Sequence, residues 1–161
     1  MRAKTVKFPT WEELNLILPN SIKKIFLRLE QIREDPQWHP ESDALEHIKI
    51  VYNRALESRD ADLMMCALFH DLGKVLAAKE KSDGFHSSHG HEKISTSLVN
   101  IPLYRKFIED FGANPDNVLW LVENHMRFHN IEEMRPMKRK ILMEHPLFDK
   151  LEAFGIMDKM N

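Results

Sequence analysis

Apolar residues recur every three or four positions along most of the chain, which is the period of an amphipathic helix. One such stripe consists of Ile22, Ile25, Phe26, Leu29 and Ile32, and a longer one runs through residues 44–56. Proline, asparagine and aspartate separate these stretches, and no two segments alternate polar with apolar residues as paired strands do. The pattern therefore predicts an all-α fold.

Capping signals place the helix boundaries. Thr10 with Glu13 matches a capping box, and Asn114 with Pro115 combines a cap with a proline at the first helical position. We expect Asp60 to cap the most apolar helix, which is predicted to run through Leu72. Further helix starts are predicted after the Pro19-Asn20-Ser21 segment, near Ser42, and at His91, Pro102, Pro136 and Pro146. Residues 81–90 are predicted to form a polar loop.

Length and charge limit the classes of protein that need considering. A chain of 161 residues suits one domain, which we place at 1–161, with N-terminal helices in 1–35 and the functional core in 36–161. The net charge of −2 argues against a nucleic-acid scaffold, so nucleic acid is an unlikely partner. The basic run Lys138-Arg139-Lys140 is typical of a solvated helix face.

The single cysteine, Cys66, excludes an intramolecular disulfide and lies in an apolar run, where it is predicted to be a small core residue. No stretch reaches the roughly 20 apolar residues that a membrane span needs. We therefore expect a cytoplasmic protein that does not enter a membrane. Apolar residues in the first helix, such as Trp11 and Leu16, suggest that a homodimer could form.

Histidine is the unusual component, with nine residues in the chain. Several histidines and aspartates fall on or beside helix faces that should be buried, namely His47, His70, Asp71, His91, His125 and Asp158. A single buried histidine is usually a hydrogen-bonded core residue, but burying six such groups unpaired would cost several kcal/mol each. A metal ion would offset that cost, and imidazole with carboxylate suits Mn, Fe, Co, Ni or Zn, with Mg a further option.

Lys74 follows His70 by four residues and Asp71 by three, so it should share their side of a helix. A cation beside a metal is well placed to bind a phosphate oxygen. Taken alone, Lys74 would be interpreted as a surface lysine.

The segment from Ala67 to Lys74 (ALFHDLGK) resembles the HDxGK motif of the HD-domain superfamily of helical, metal-dependent phosphohydrolases. The order of ligands in that superfamily is matched by His47, His70-Asp71, His91, His125 and Asp158. Local similarity is greatest to the HD domain of bacterial tRNA nucleotidyltransferases. It is carried by residues 38–47 (WHPESDALEH), 90–93 (GHEK) and 121–127 (LVENHMR).

The resemblance implies a role for each residue. His47, His70, Asp71 and Asp158 would hold one metal, and Asp71 would bridge to a second metal held by His91 and His125. A metal-activated hydroxide would attack phosphorus, and Lys74 would neutralise a phosphate oxygen, so Asp71 and Lys74 would be catalytic. Arg127 and His129 would add substrate contacts, and Glu41 and Glu92 would support ligands or transfer protons. Asp149 is an alternative last ligand, but Asp158 has the more buried neighbourhood.

The expected substrate is a small phosphorylated molecule, in particular a phosphomonoester or phosphodiester of a nucleotide. Two other functions remain open at this point. A di-iron oxygenase would use the same ligand set, and a degenerate domain would sense a nucleotide or bind a partner without catalysis.

Overall fold

The computed structural model describes residues 7–41 and 43–159. Within those residues the chain forms ten α-helices, one short 3₁₀ turn and two strands of two residues each. In chain order these are α1 (Trp11–Ile17), α2 (Asn20–Leu29), α3 (Ala44–Ser58), α4 (Ala61–Phe69), α5 (Lys74–Ala77), β1 (Lys79–Glu80), β2 (His86–Ser87), α6 (His91–Val99), α7 (Pro102–Phe111), α8 (Pro115–His129), the 3₁₀ turn (Ile131–Glu133), α9 (Pro136–Met143) and α10 (Phe148–Lys159). The predicted all-α fold is confirmed.

Most helices begin where the capping signals predicted. Thr10 and Glu13 form a reciprocal capping box at the start of α1. The Asn114 side chain accepts from two backbone N–H groups at the start of α8. Asp43 caps α3, whereas Ser42, the predicted start, lies outside the described residues. The last helix begins at Phe148, two residues after the predicted Pro146, because residues 145–147 form a turn closed by a bond from the Phe148 N–H to the His145 carbonyl.

Helix α4 is the centre of the fold. Every residue from Asp62 to Phe69 is buried, and the helix packs against α3, α8 and α10. Burial on all sides is what a helix that is apolar around its whole circumference requires. The neighbours of α4 therefore surround its C-terminal end, where His70 and Asp71 follow.

The prediction that this helix runs through Leu72 is wrong, because α4 ends at Phe69. The backbone N–H groups of Leu72, Lys74, Val75 and Leu76 bond to carbonyls three residues earlier, and the Gly73 N–H donates to the Ser95 hydroxyl. The chain therefore winds more tightly before continuing as α5. The tighter winding after Asp71 changes the direction of the Lys74 side chain relative to a regular α-helix.

A small antiparallel ladder that the sequence does not predict overlaps the polar loop expected at 81–90. Lys79 and Glu80, just before that loop, pair with Ser87 and His86 within it. Two residues per strand are too few to give a periodic signal. The His86 N–H also donates to the Arg33 carbonyl. This hairpin therefore ties the segment after α2 to the region that precedes α6.

Gly73 allows a close approach between the turn that precedes α5 and helix α6. A Cβ at this position would lie 2.2 Å from the His91 carbonyl oxygen and 2.7 Å from the Ser95 backbone nitrogen. The Gly73 torsions (φ −62°, ψ −17°) suit any residue, so steric contact with α6 is the only obstacle to a side chain.

Gly73→Ala is therefore expected to destabilise the protein by about 1–3 kcal/mol, because α6 must move away to admit the methyl group. Thermal unfolding followed by circular dichroism should show a Tm lower by roughly 2–10 °C. Ser97→Ala, on the exposed face of α6, is the control and should leave Tm unchanged. An unchanged Tm in Gly73→Ala would mean that the two helices are not in contact as described.

Helix α1 is only partly integrated into the core. Trp11 stacks on Phe26 with ring centroids 5.5 Å apart, whereas Leu16 is 81% exposed. The homodimer suggested by these residues stays a prediction. No helix in the described part of the chain has the length and apolar character of a membrane span.

Candidate metal centre

Four helices and one turn deliver the six predicted ligands to one place. His47 comes from α3, His70 and Asp71 from the turn after α4, His91 from the start of α6, His125 from α8 and Asp158 from α10. His47, His70, Asp71, His91 and His125 are all buried, and the Asp158 side chain is 8% exposed.

Asp71 divides these residues into two groups, one on each of its oxygens. Asp71 Oδ2 lies 3.3 Å from His70 Nε2 and 3.7 Å from His47 Nε2. Asp71 Oδ1 lies 2.9 Å from His91 Nε2 and 3.7 Å from His125 Nε2. The first triad is His47, His70 and Asp71, and the second triad is Asp71, His91 and His125. In each triad the potential ligand atoms lie within 4.8 Å of one another. One carboxylate thus faces two adjacent sites, which is the arrangement that a bridging ligand requires.

Backbone carbonyls fix the orientation of three of the four imidazoles. The Nδ1 atoms of His70, His91 and His125 lie 2.8, 2.9 and 2.6 Å from the carbonyl oxygens of Ala67, Ser88 and Val122. A carbonyl can only accept, so each Nδ1 carries the proton and donates it. In the neutral form of each ring, Nε2 then directs a lone pair at the centre, as in histidines that bind metals.

Two contacts in the cluster are poor without a cation. His91 Nε2 and His125 Nε2 face each other at 3.3 Å, although neither has a proton to share when both rings are neutral. His70 Nε2 is buried and has no hydrogen bond of acceptable geometry within the described chain, despite lying 3.2 Å from Asp158 Oδ1. A metal ion between these atoms would satisfy both, so the donor set fits a divalent metal.

The carboxylates of the cluster raise the pKa of the two histidines in the first triad, His47 and His70. Burial opposes protonation of His47, but hydrogen bonds to Asp158 and Glu41 outweigh it and raise its pKa to about 9. Burial also opposes protonation of His70, and the charges of Asp71 and Asp158 raise its pKa to about 10. Burial lowers the pKa of His125. A metal would therefore compete with protons at His47 and His70 and not at His125.

The last ligand was open between Asp149 and Asp158, and the geometry brings only Asp158 to the cluster. Asp158 Oδ1 lies 2.7 Å from His47 Nε2. Asp149 is exposed near the beginning of α10, more than two turns from Asp158. Asp158 also accepts a bond from His129, so two histidines hold its carboxylate in place.

Lys74 is buried beside the cluster between two carboxylates. Its Nζ lies 3.0 Å from Asp71 Oδ2 and 2.8 Å from Glu34 Oε1. Burial acts against the charge of Lys74, but Asp71 and Glu34 raise the pKa of its ammonium above the ordinary value. Glu34 Oε2 in turn lies 2.9 Å from His39 Nε2.

Glu34 was missed by the sequence analysis. It lies in the charged segment Arg33-Glu34-Asp35, outside any helix, where no periodicity distinguishes a buried acid from exposed ones. The only available signal was indirect: a lysine buried beside the His-Asp doublet needs more than one counter-charge. Glu34 supplies the second one and holds the Lys74 side chain in position.

A cavity of about 440 Å³ opens beside the cluster. His91 and Lys74 line it from the side of the metal centre, and Lys81, Trp38 and His39 line other parts of its wall. A cavity of this volume holds a ligand of nucleotide size. Glu92 also lines it, whereas the Glu41 carboxylate lies 3.1 Å from His47 Nδ1 and orients that ring.

Neither of the other two predicted substrate-binding residues lines this cavity. Arg127 lies two residues after His125, which is about 200° around a helix, and so points away from the centre. His129 lies against Asp158, where it supports a candidate ligand. The positions of Arg127 and His129 give no support to direct contact with a substrate at this cavity.

Comparison with known proteins agrees with this geometry. A family model for the HD domain matches residues 30–153. The multifunctional CCA protein of Thioalkalivibrio sulfidiphilus (strain HL-EbGR7) is 34% identical over 110 residues, which is 68% of this chain. The matched region spans only 26% of that longer protein. No solved structure gives a significant match. The fold, the ordered ligands and the family match together show that the chain belongs to the HD domain family.

Proposed function

We propose that this protein is a metal-dependent phosphohydrolase that cleaves a phosphomonoester or phosphodiester of a nucleotide-like substrate. The observation that carries the proposal is the pair of buried triads that share Asp71 beside a cavity of about 440 Å³. His47, His70, Asp71 and Asp158 would hold one metal, and Asp71, His91 and His125 would hold a second. When bound, such metals supply Lewis acidity and an activated water.

The protein's own groups orient and neutralise the substrate. Lys74 lines the cavity and lies 3.0 Å from Asp71 Oδ2, so a phosphate beside the centre would contact its ammonium. Glu34 keeps Lys74 from turning away. The backbone carbonyls that bind Nδ1 of three histidines hold the ligands in place before the substrate arrives, which lowers the reorganisation needed for catalysis.

The test is hydrolysis of bis(p-nitrophenyl) phosphate, p-nitrophenyl phosphate, nucleoside 5′-monophosphates and 2′,3′-cyclic AMP. Protein treated with EDTA would be reloaded in turn with Mn, Co, Ni, Zn, Fe or Mg. We expect release of phosphate or nitrophenol that depends on the metal, and the preferred substrate identifies the class of bond. No hydrolysis with any metal would refute the proposal.

The oxygenase alternative uses the same ligands, so the triads do not separate the two chemistries. A phosphate substrate is favoured by the buried cation Lys74 and by Lys81 at the cavity wall. Two bound irons and turnover that stops without oxygen would establish the oxygenase instead. Nucleotide binding with no turnover under either condition would support the sensing domain.

Lys74→Ala is expected to slow turnover by about 10²-fold while the metals stay bound, because one preorganised donor to the substrate is lost. Metal content by mass spectrometry and steady-state kinetics would be measured together. Lys79→Ala, an exposed lysine on β1, is the control and should behave like the wild type. Loss of metal from Lys74→Ala would show that the lysine serves the structure of the centre and not the substrate.

A further inference from the structure

A second cavity lies between α8 and α9, on the side of α8 that faces away from the metal centre. Its volume is about 300 Å³. Trp120, Asn124 and Arg127 line it from α8, and Lys138 and Ile141 line it from α9. We call it the α8–α9 groove. No described residue lines both this groove and the cavity of the metal centre.

The groove holds two cations whose charges are not neutralised within the described chain. One guanidinium nitrogen of Arg127 donates to Asn124 Oδ1 at 3.0 Å, and Asn124 is itself buried and donates to the Trp120 carbonyl. Neither Arg127 nor Lys138 forms an ion pair in residues 7–41 and 43–159. The neighbouring cations differ, since Arg139 pairs with Glu132 and Lys140 with Glu144.

The Asn124 amide nitrogen is fixed by the Trp120 carbonyl, and the Asn124 amide oxygen accepts the bond that orients Arg127. Guanidinium has five donors, and the bond to Asn124 occupies one of them. Residues that line the groove include no aspartate or glutamate. The groove therefore presents a positive charge held in a fixed direction, which favours an anion.

An aromatic pair forms another part of the wall. The rings of Trp120 and His145 are stacked, with centroids 3.9 Å apart and planes 13° from parallel. His145 Nδ1 accepts from the Leu147 N–H at 3.0 Å, so the neutral ring carries its proton on Nε2 and has a donor to offer. Met134 and the 65%-exposed Ile141 add apolar surface. A flat apolar group would bind here beside the two cations.

We propose that the α8–α9 groove is a binding site for a mononucleotide, with the base on the Trp120–His145 surface and the phosphate on Arg127 and Lys138. Its volume is at the lower end of the range for small-molecule sites, which suits one nucleotide. A longer nucleic acid would need an extended basic surface, whereas the cations that line the groove are Arg127 and Lys138. The site accounts for Arg127 and Lys138, which the metal centre does not use.

The experiment is a fluorescence titration with AMP in the presence of EDTA, so that turnover does not consume the ligand. The chain has three tryptophans. Trp38 lines the cavity of the metal centre, so the titration uses a Trp38→Phe background. Of the remaining two, Trp11 stacks on Phe26 and Trp120 lines the groove. Saturable quenching by AMP is expected.

Arg127→Gln and Lys138→Gln, tested separately, should each weaken AMP binding by about tenfold or more, because a charged hydrogen bond is lost. Lys140→Gln removes a charge from the same basic run outside the groove and should change the affinity by less than about twofold. Adenosine and inorganic phosphate alone should bind more weakly than AMP. Helical circular dichroism would verify that each variant is folded.

Several outcomes would overturn the proposal. Absence of saturable quenching would exclude a nucleotide site near Trp120. Equal weakening of AMP binding by Arg127→Gln, Lys138→Gln and Lys140→Gln would show that AMP is attracted to positive charge in general and not bound in the groove. Unchanged affinity in Arg127→Gln would place the nucleotide elsewhere, including the metal centre. Binding of a short oligoadenylate without binding of AMP would indicate a nucleic-acid surface. None of these results depends on whether the metal centre hydrolyses phosphate.

Discussion

Asp71→Asn is expected to abolish metal binding and, with it, turnover. The substitution keeps the shape of the side chain but removes the carboxylate charge that both triads share. Mutating a residue that only orients a metal ligand lowers metal affinity by about 10–100-fold, so loss of a ligand shared by both sites should lower it by at least about 100-fold. Turnover should fall by about 10³-fold or more, as it does when a group central to catalysis is removed.

Metal content by mass spectrometry and hydrolysis of the preferred substrate would be measured on the same preparations. Asp149→Asn is the matched control, since it makes the same change at an exposed aspartate that was the alternative ligand. The control should retain metal and activity. Full metal content and activity in Asp71→Asn would mean that the two triads do not form the active centre.

Asp71→Asn also changes the balance of buried charge, so its effect on folding must be separated from its effect on metal binding. Lys74 would keep Glu34 as a partner, at 2.8 Å, so its charge would remain paired. His70 would keep Asp158 at 3.2 Å. These remaining contacts predict a folded variant, so loss of metal can be separated from loss of structure by thermal unfolding with and without added metal.

The helices were predictable because each carries its own local signals. The capping box at Thr10 and Glu13 and the cap at Asn114 depend on residues three or fewer positions apart, and both form as predicted. The prediction failed at Leu72, where α4 ends three residues early. His70 and Asp71 are weaker helix formers but do not end a helix by themselves, so the tighter turn there is set by tertiary contacts, including the approach of Gly73 to α6.

The candidate ligands were predictable for a related reason, since polar groups on buried faces stand out from the apolar pattern. Choosing Asp158 over Asp149 rested on the buried stripe of α10, and the geometry places Asp158 in the cluster. Contacts between distant segments were not predictable in this way. Glu34 reaches Lys74 across 40 residues, and nothing in its own segment indicates burial.

Arg127 shows the limit of assigning roles by distance along the chain. Its position two residues after His125 suggested a contact with the substrate of the metal centre. Helical geometry places residues two apart on nearly opposite sides, and Arg127 instead lines the α8–α9 groove. The same rule explains why Asn124, three residues before Arg127, can bond to it.

Metal affinity is expected to rise steeply with pH, which is the second large effect that the centre predicts. Without metal, the pKa values of about 9 for His47 and about 10 for His70 keep both rings protonated at pH 7. A metal binds only the unprotonated nitrogen, so binding must displace both protons. Raising the pH removes these competitors, and the affinity should increase by up to about 100-fold per pH unit between pH 7 and 8. The slope of log affinity against pH should fall from two to one above about pH 9, and the affinity should become independent of pH above about pH 10.

Titration of the EDTA-treated protein with Mn(II) against a competing chelator at pH 6.5, 7.5 and 8.5 would measure this slope. Calorimetry in two buffers with different protonation enthalpies would count the protons released, with about two expected at pH 7.5. Glu41→Gln keeps the neighbour of His47 Nδ1 but removes its charge, so the pKa of His47 should fall and the slope should decrease toward one. Glu46→Gln makes the same change at an exposed position on α3 and should leave the slope at two. An affinity independent of pH in the wild type would show that the metal does not bind through His47 and His70.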